Sequence, residues 1–224
     1  MDEESMDGIY QEALNKVFRN YVRENDVEGM AIALTLGADL NYQDDMGLTH
    51  LGFASMIGRE DAVDFLLVAE DAYDEYKEKF YGLEEPCSCI DTPDINGKTP
   101  LILASEMGYQ NIVAKLRKNG ANIESRDSNG RTALIGAADY NQYKAGEDLV
   151  VRGRAEVNVM DLDGMTPLMW ASYWGNVAFM DLLVRHGAKF DLKSKDGLTA
   201  LDCAEQNQQE KAVKYLKSIM ERQK

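Results

Sequence analysis

The sequence predicts an all-α solenoid: six helix-turn-helix units stacked side by side, two of them end caps. Three observations carry this. A Gly-x-Thr-x-Leu stretch recurs as GLTHL from Gly47, GKTPL from Gly97, GRTAL from Gly130, GMTPL from Gly164 and GLTAL from Gly197, in steps of 50, 33, 34 and 33 residues. A second marker keeps phase: GADLN from Gly37, GANIE from Gly120, GRAEVN from Gly153 and GAKFD from Gly187, the last three lying 23 residues after the first-marker glycine. Between the markers, a run of small residues gives way to apolar side chains at helical spacing, as at Phe179, Met180, Leu182 and Leu183. A fixed period of this length signals units that cannot bury an apolar side alone and must stack.

Each element has a local cause. Residues 1–10, MDEESMDGIY, are acidic and expected to be disordered ahead of the first unit, 11–43. That unit lacks the glycine turns but keeps Val17, Phe18, Tyr21, Met30 and Ile32 as one apolar face, so it reads as a cap. From the second unit, 44–69, onward the first-marker glycine supplies a positive-φ turn and the threonine hydroxyl caps the inner helix. Pro100 and Pro167 occupy the first helical position, where a missing N–H costs nothing. Ala104-Ser105, Ala137-Ala138 and Ala171-Ser172 are small enough for inner helices to approach closely. After a second turn at Gly58, Gly108 or Gly175, an outer helix returns and stops at the second-marker glycine.

The 50-residue step hides 17 extra residues, placed at 70–93. Tyr73, Tyr76 and Phe80 fall at i, i+3 and i+7, and Glu75 stands four residues before Lys79, so the outer helix is expected to run on to Gly82. About eleven residues at 1.5 Å each would carry it roughly 15 Å past its siblings. Either its aromatics cover the edge of the neighbouring hairpins, or the insertion helps hold a partner. The third unit, 94–126, and the fifth, 161–193, are regular. The fourth, 127–160, places Gly146 and Asp148 where other outer helices have large apolar residues, and is expected to be the softest interior segment. The last unit, 194–224, carries Lys211, Lys214 and Lys217 on a helix with Val213, Leu216 and Met220, a second cap that makes the array read as complete.

Five in-phase Gly-x-Thr-x-Leu copies make the chain resemble the ankyrin-repeat family from about residue 11 to 220, apart from the insertion. The resemblance implies an ankyrin-repeat solenoid whose helix pairs carry projecting β-hairpin loops. One departure stands out: the histidine that follows T-P-L in the family is replaced by Ile102, Ile135, Met169 and Asp202. The hydrogen bonds it makes between adjacent turns must be made otherwise or lost.

Composition narrows the function. With 45% apolar residues the 224-residue chain can bury a core, and its formal charge of −15 makes nucleic acid and anionic membrane poor partners. No apolar stretch reaches the roughly 18 to 20 residues of a membrane span, and the acidic start is no secretion signal, which points to the cytoplasm or the nucleus. An odd count of three cysteines fits a reducing compartment.

The resemblance implies that residues ending the inner helices line a concave groove. Here they are Met56-Ile57, Glu106-Met107, Asp139-Tyr140 and Tyr173-Trp174, a largely apolar and aromatic stripe; Trp170, one turn earlier, reads as core. The stripe is either a contact surface or a set of rings folded back to complete the core. Asp44, Asp45, Asp94, Lys98, Asp127, Arg131, Asp161 and Asp163 at the hairpin tips form a mainly acidic rim. Together with Tyr73 and Tyr76 of the insertion they point to a protein partner, apolar at its centre and basic at its edge, bound by a chain that is a monomer on its own.

Signals for chemistry fail. GKT at Gly97–Thr99 resembles the end of a phosphate loop, but Thr92 stands where the loop needs a glycine. DLDG at Asp161 lacks the later ligands of a calcium loop. Cys87 and Cys89 would need further ligands to hold a metal and read as a reduced, exposed pair. No catalytic residue, cofactor or metal site is expected. A protein-binding module, acting as adaptor, inhibitor or assembly factor, is therefore the first reading. A self-associating scaffold is the alternative, and a nucleotide-binding protein or enzyme a distant third.

Overall fold

The computed structural model describes residues 3–76 and 89–222 and forms one stack of helix pairs. The pairs are α1 (Glu3–Glu24) with α2 (Val27–Thr35), α3 (His50–Ile57) with α4 (Glu60–Tyr76), and α5 (Pro100–Met107) with α6 (Gln110–Lys118). They continue as α7 (Ala133–Asp139) with α8 (Tyr143–Glu147), α9 (Pro167–Tyr173) with α10 (Val177–Arg185), and α11 (Ala200–Gln206) with α12 (Glu210–Arg222). Inner helices α3, α5, α7, α9 and α11 pack in a row, each against the next, and each outer helix packs on its own inner partner.

Seven- and eight-residue helices have no independent stability in water, so caps and packing must hold them. Thr49, Thr99, Thr132, Thr166 and Thr199 each accept the backbone N–H three residues on, the role expected of them. Each such cap contributes about 1 kcal/mol. Ala104, Ala137, Ala138 and Ala171 are fully buried, and Ser105 and Ser172, also buried, return their hydroxyls to Leu101 and Leu168 carbonyls at 2.7 Å.

The projecting loops contain no strand among the described residues, in place of the β-hairpins the resemblance implies. They close as turns instead. Asp44, Asp94, Asp127 and Asp161 each use Oδ1 to accept two backbone N–H groups of their own loop. Neighbouring loops are joined by backbone bonds: Ile95 N to Met46 O at 3.0 Å, Ser128 N to Asn96 O at 2.8 Å, Leu162 N to Asn129 O at 2.9 Å and Lys195 N to Asp163 O at 2.9 Å. The loops thus stay connected where Ile102, Ile135, Met169 and Asp202 replace histidine. The close approach needs glycine: at Gly97, φ is +77° and an added Cβ would lie 2.8 Å from Ser128 N.

The first unit departs from expectation in two ways. Residues 3–10 are helical, because α1 runs unbroken from Glu3, and the middle of α1 is tied to the loop after α2. Gln11 donates to Gly37 O at 2.8 Å, and Asn15 accepts from Asp39 N at 2.9 Å. Of the five residues assigned to one apolar face, Phe18 and Met30 are fully buried and Tyr21 is partly so, while Val17 and Ile32 are exposed. The buried stripe of α1 is Leu14, Phe18 and Val22, at i, i+4 and i+8, and Val17 lies off it.

The fourth unit explains its own irregular residues. An added Cβ at Gly146 would meet Phe179 Cζ at 2.3 Å, so this glycine is the notch that receives the ring. Asp148 is buried between Arg117 Nε of α6 at 2.8 Å and Arg152 Nη1 at 2.9 Å. The one extra residue of the 34-residue step is absorbed by a π-helical turn, Asp148–Arg152. Ala155 N consequently reaches back six residues to Leu149 O, where Ala121 N reaches back five to Leu116 O. Gly153 is thereby helical, with φ −80°, and Arg154 takes the left-handed place, φ +58°, that Gly120 and Gly187 fill elsewhere. A non-glycine residue is strained there, so Arg154→Gly raises stability by about 0.5 to 1 kcal/mol. Urea unfolding measures it, and a lower midpoint would disprove the strain.

Candidate protein-binding surface

The C-terminal ends of the inner helices separate into two sets. In the third, fourth and fifth units the first residue of the pair turns inward and the second shows on the surface. Glu106 is buried, and both its oxygens take the Lys98 ammonium, at 2.7 and 2.8 Å. One unit later Asp139 Oδ2 takes Arg131 Nη1 at 2.9 Å. Both pairs join the middle residue of Gly-x-Thr to a side chain eight residues on, across the base of the loop. Leu48 and Met56, and Met165 and Tyr173, occupy the same register with apolar side chains.

Burial raises the Glu106 carboxyl above its ordinary range, against the pull of Lys98. Burial alone would lower the Lys98 ammonium, but the Glu106 hydrogen bond and charge raise it overall. The Lys98 amine of the GKT turn is thus committed to a carboxylate and the Thr99 hydroxyl to capping α5.

The second residues form a row. Ile57 is partly buried, while Met107, Tyr140 and Trp174 are 43%, 51% and 51% exposed on consecutive inner units. Trp174 is held in place: its indole Nε1 donates to Asp139 Oδ1 at 2.7 Å, and Tyr173 meets it edge-on with centroids 5.0 Å apart and planes at 75°. Behind them Trp170, read from sequence as core, is partly buried, donates to Asp161 Oδ2 at 2.9 Å and lies under the Arg131 guanidinium at 4.4 Å. Arg131, Asp161 and Trp170 therefore belong to the site's support. Comparing the middle residue of Gly-x-Thr with the residue eight on, oppositely charged in the third and fourth units alone, would have moved Arg131 from the rim to the support.

Glu106 and Asp139 are thus inward supports, where the sequence reading makes them contacts. Met56 and Tyr173 are partly buried beside Ile57 and Trp174. Asp163 is exposed at a loop tip, as is Asp45, while Asp127 and Asp161 are buried by their turn bonds and leave the acidic rim thinner than expected. Tyr73 and Tyr76 lie in the last turns of α4, which exceeds the nine-residue α6 and α10 by eight residues within the described range. The rest of the expected extension, with Phe80, Gly82 and Cys87, falls outside the described residues. Cys89 is buried, not exposed, and its thiol donates to Asn41 Oδ1 at 2.6 Å. No helix among the described residues is long and apolar enough to cross a membrane.

A family model described as ankyrin repeats (three copies) matches residues 20–127, 79–161 and 134–222. Among curated relatives, human ankyrin repeat domain-containing protein 63 is 34% identical over 125 residues, covering 52% of this chain and 33% of its own. The Arabidopsis thaliana potassium channel AKT2/3 is 34% identical over 114 residues, covering 51% of this chain and 14% of its own, and mouse rabankyrin-5 is 32% identical over 125 residues, covering 55% and 11%. In each case the matched stretch is a third or less of the relative's length.

Proposed function

Because the chain belongs to the ankyrin-repeat family, whose repeats generally serve as protein-protein interaction modules, we propose that it binds a protein partner along its concave face. The observation that carries this reading is the exposed row of Met107, Tyr140 and Trp174 backed by a fixed support. Solvated faces do not ordinarily place large apolar side chains in register on consecutive units, whereas interface centres are enriched in Trp, Tyr and Met. Fixing the Trp174 ring before contact removes part of the ordering cost of association. Exposed Asp45 and Asp163 at the loop tips, with a formal charge of −15 overall, favour a partner whose edge is basic. Within this reading the chain is an adaptor, an inhibitor or an assembly factor of cytoplasm or nucleus, monomeric until bound, and the insertion at 70–93 extends its grip.

Tyr140→Ala/Trp174→Ala tests the surface. Both side chains are half exposed, so the variant keeps its melting transition within a few degrees. Capture of partners from the source cell by the variant falls about tenfold or more against the intact chain. Equal capture by both would remove the surface assignment.

A further inference from the structure

We infer that the occupant of this face is an α-helix of the partner, lying lengthwise across the inner helices with an apolar stripe at i, i+7 and i+14 and basic residues on its flanks. The inference rests on the protein-binding reading and adds the form of the guest. Met107, Tyr140 and Trp174 sit at one register of three consecutive packed helices, whose axes lie about 8–10 Å apart. An α-helix returns a side chain to one face every seven residues, about 10.5 Å. A β-strand does so at about 6.8 Å and presents the opposite face at 10 Å, so it would miss alternate positions.

A polyproline II helix repeats at about 9.3 Å and matches the spacing nearly as well, so hydrogen bonding must decide. Strands and polyproline helices bring backbone N–H or C=O groups that need new partners once dry. This face commits most of its donors internally, Trp174 Nε1 to Asp139, Trp170 Nε1 to Asp161, Lys98 Nζ to Glu106 and Arg131 Nη1 to Asp139, and the exposed Tyr140 hydroxyl it keeps is too little for an extended backbone crossing three units. An α-helix satisfies its own backbone and asks only for side-chain contact. The basic flanks follow from charge, since the groove's cations are already paired while Asp45 and Asp163 at the tips are exposed.

A displayed library of random peptides of about 20 residues, selected on the full chain, tests the form of the guest without knowing the partner. Enriched peptides are expected to carry apolar residues seven apart with Lys or Arg beside them. They should gain helical circular dichroism on binding, lose about tenfold in affinity when a central residue becomes proline, and lose as much on Tyr140→Ala/Trp174→Ala. Peptides that need Trp174 but stay extended, are rich in proline or are acidic would overturn the helical guest and leave the surface standing. Peptides that bind the double variant as well as the intact chain would remove the surface itself. A library yielding no enrichment would also count against the helix.

Discussion

Asp148→Ala lowers the unfolding free energy by about 3 kcal/mol, the largest loss expected from a single polar substitution in this chain. The carboxylate is 1% exposed and holds two guanidinium groups, from Arg117 on the third unit and Arg152 on its own. Removing it strands Arg117, whose side chain is only 15% exposed and which makes no other ion pair among the described residues. The damage is structural as well as electrostatic, because Asp148 opens the π turn that absorbs the extra residue of the fourth unit. Arg117→Met/Asp148→Leu should recover most of the loss, since an apolar pair of similar volume leaves no stranded charge. Urea unfolding of Asp148→Ala and of the double variant measures this. A cost below about 1 kcal/mol for Asp148→Ala would show that solvent already screens the pair.

Acidification from pH 7 to pH 5 removes about 2 kcal/mol of stability through one residue, His50. Its imidazole is fully buried, tilted against Phe18 at 4.5 Å and Tyr42 at 5.7 Å, and neither ring nitrogen has a hydrogen-bond partner among the described residues. Burial, with the Arg19 guanidinium adding to it, drives the group from 6.5 down to about 3, while the nearby Asp39 backbone pulls weakly the other way. Between those values the unfolded chain binds a proton that the folded chain refuses. Stability from this residue is therefore complete above about pH 6.5 and is lost as pH falls toward about 3, at 1.36 kcal/mol per unit where the difference is one full proton.

Glu106 acts in the opposite sense, because its raised carboxyl takes up a proton more readily in the folded state. The comparison that isolates the imidazole is His50→Leu, a substitution of similar size whose stability should change about 2 kcal/mol less across the same interval. Parallel pH profiles for the two proteins would refute the account.

Much of the fold was legible because local chemistry and global packing agree. Gly97, Thr99 and Pro100 ask for a turn, a cap and a helix start one after another, and the same request recurs at Gly130 and Gly164. Such consistency leaves few alternatives for the chain to adopt. The candidate groove was legible for the same reason: once the register is known, Met107, Tyr140 and Trp174 follow by counting. Counting cannot say which way a side chain turns. Glu106 and Asp139 share their place at the helix ends with Met56 and Tyr173, yet point into ion pairs because Lys98 and Arg131 stand eight residues earlier.

Gly146 and Asp148 look like weaknesses in one dimension, and become a notch and an anchor only when Phe179 and Arg117 arrive from neighbouring units. Gly153 matches its siblings letter for letter and still fails to take their conformation, since an inserted residue is accommodated wherever the helix bends most cheaply. The amino-acid order alone determined the period, the number of helix pairs and the register of the residues that end the inner helices, because these depend on contacts a unit makes within itself or with an identical neighbour. The tertiary structure alone decided which charges are spent holding the groove together and which aromatic faces stay open, because that depends on dissimilar side chains brought together from different units.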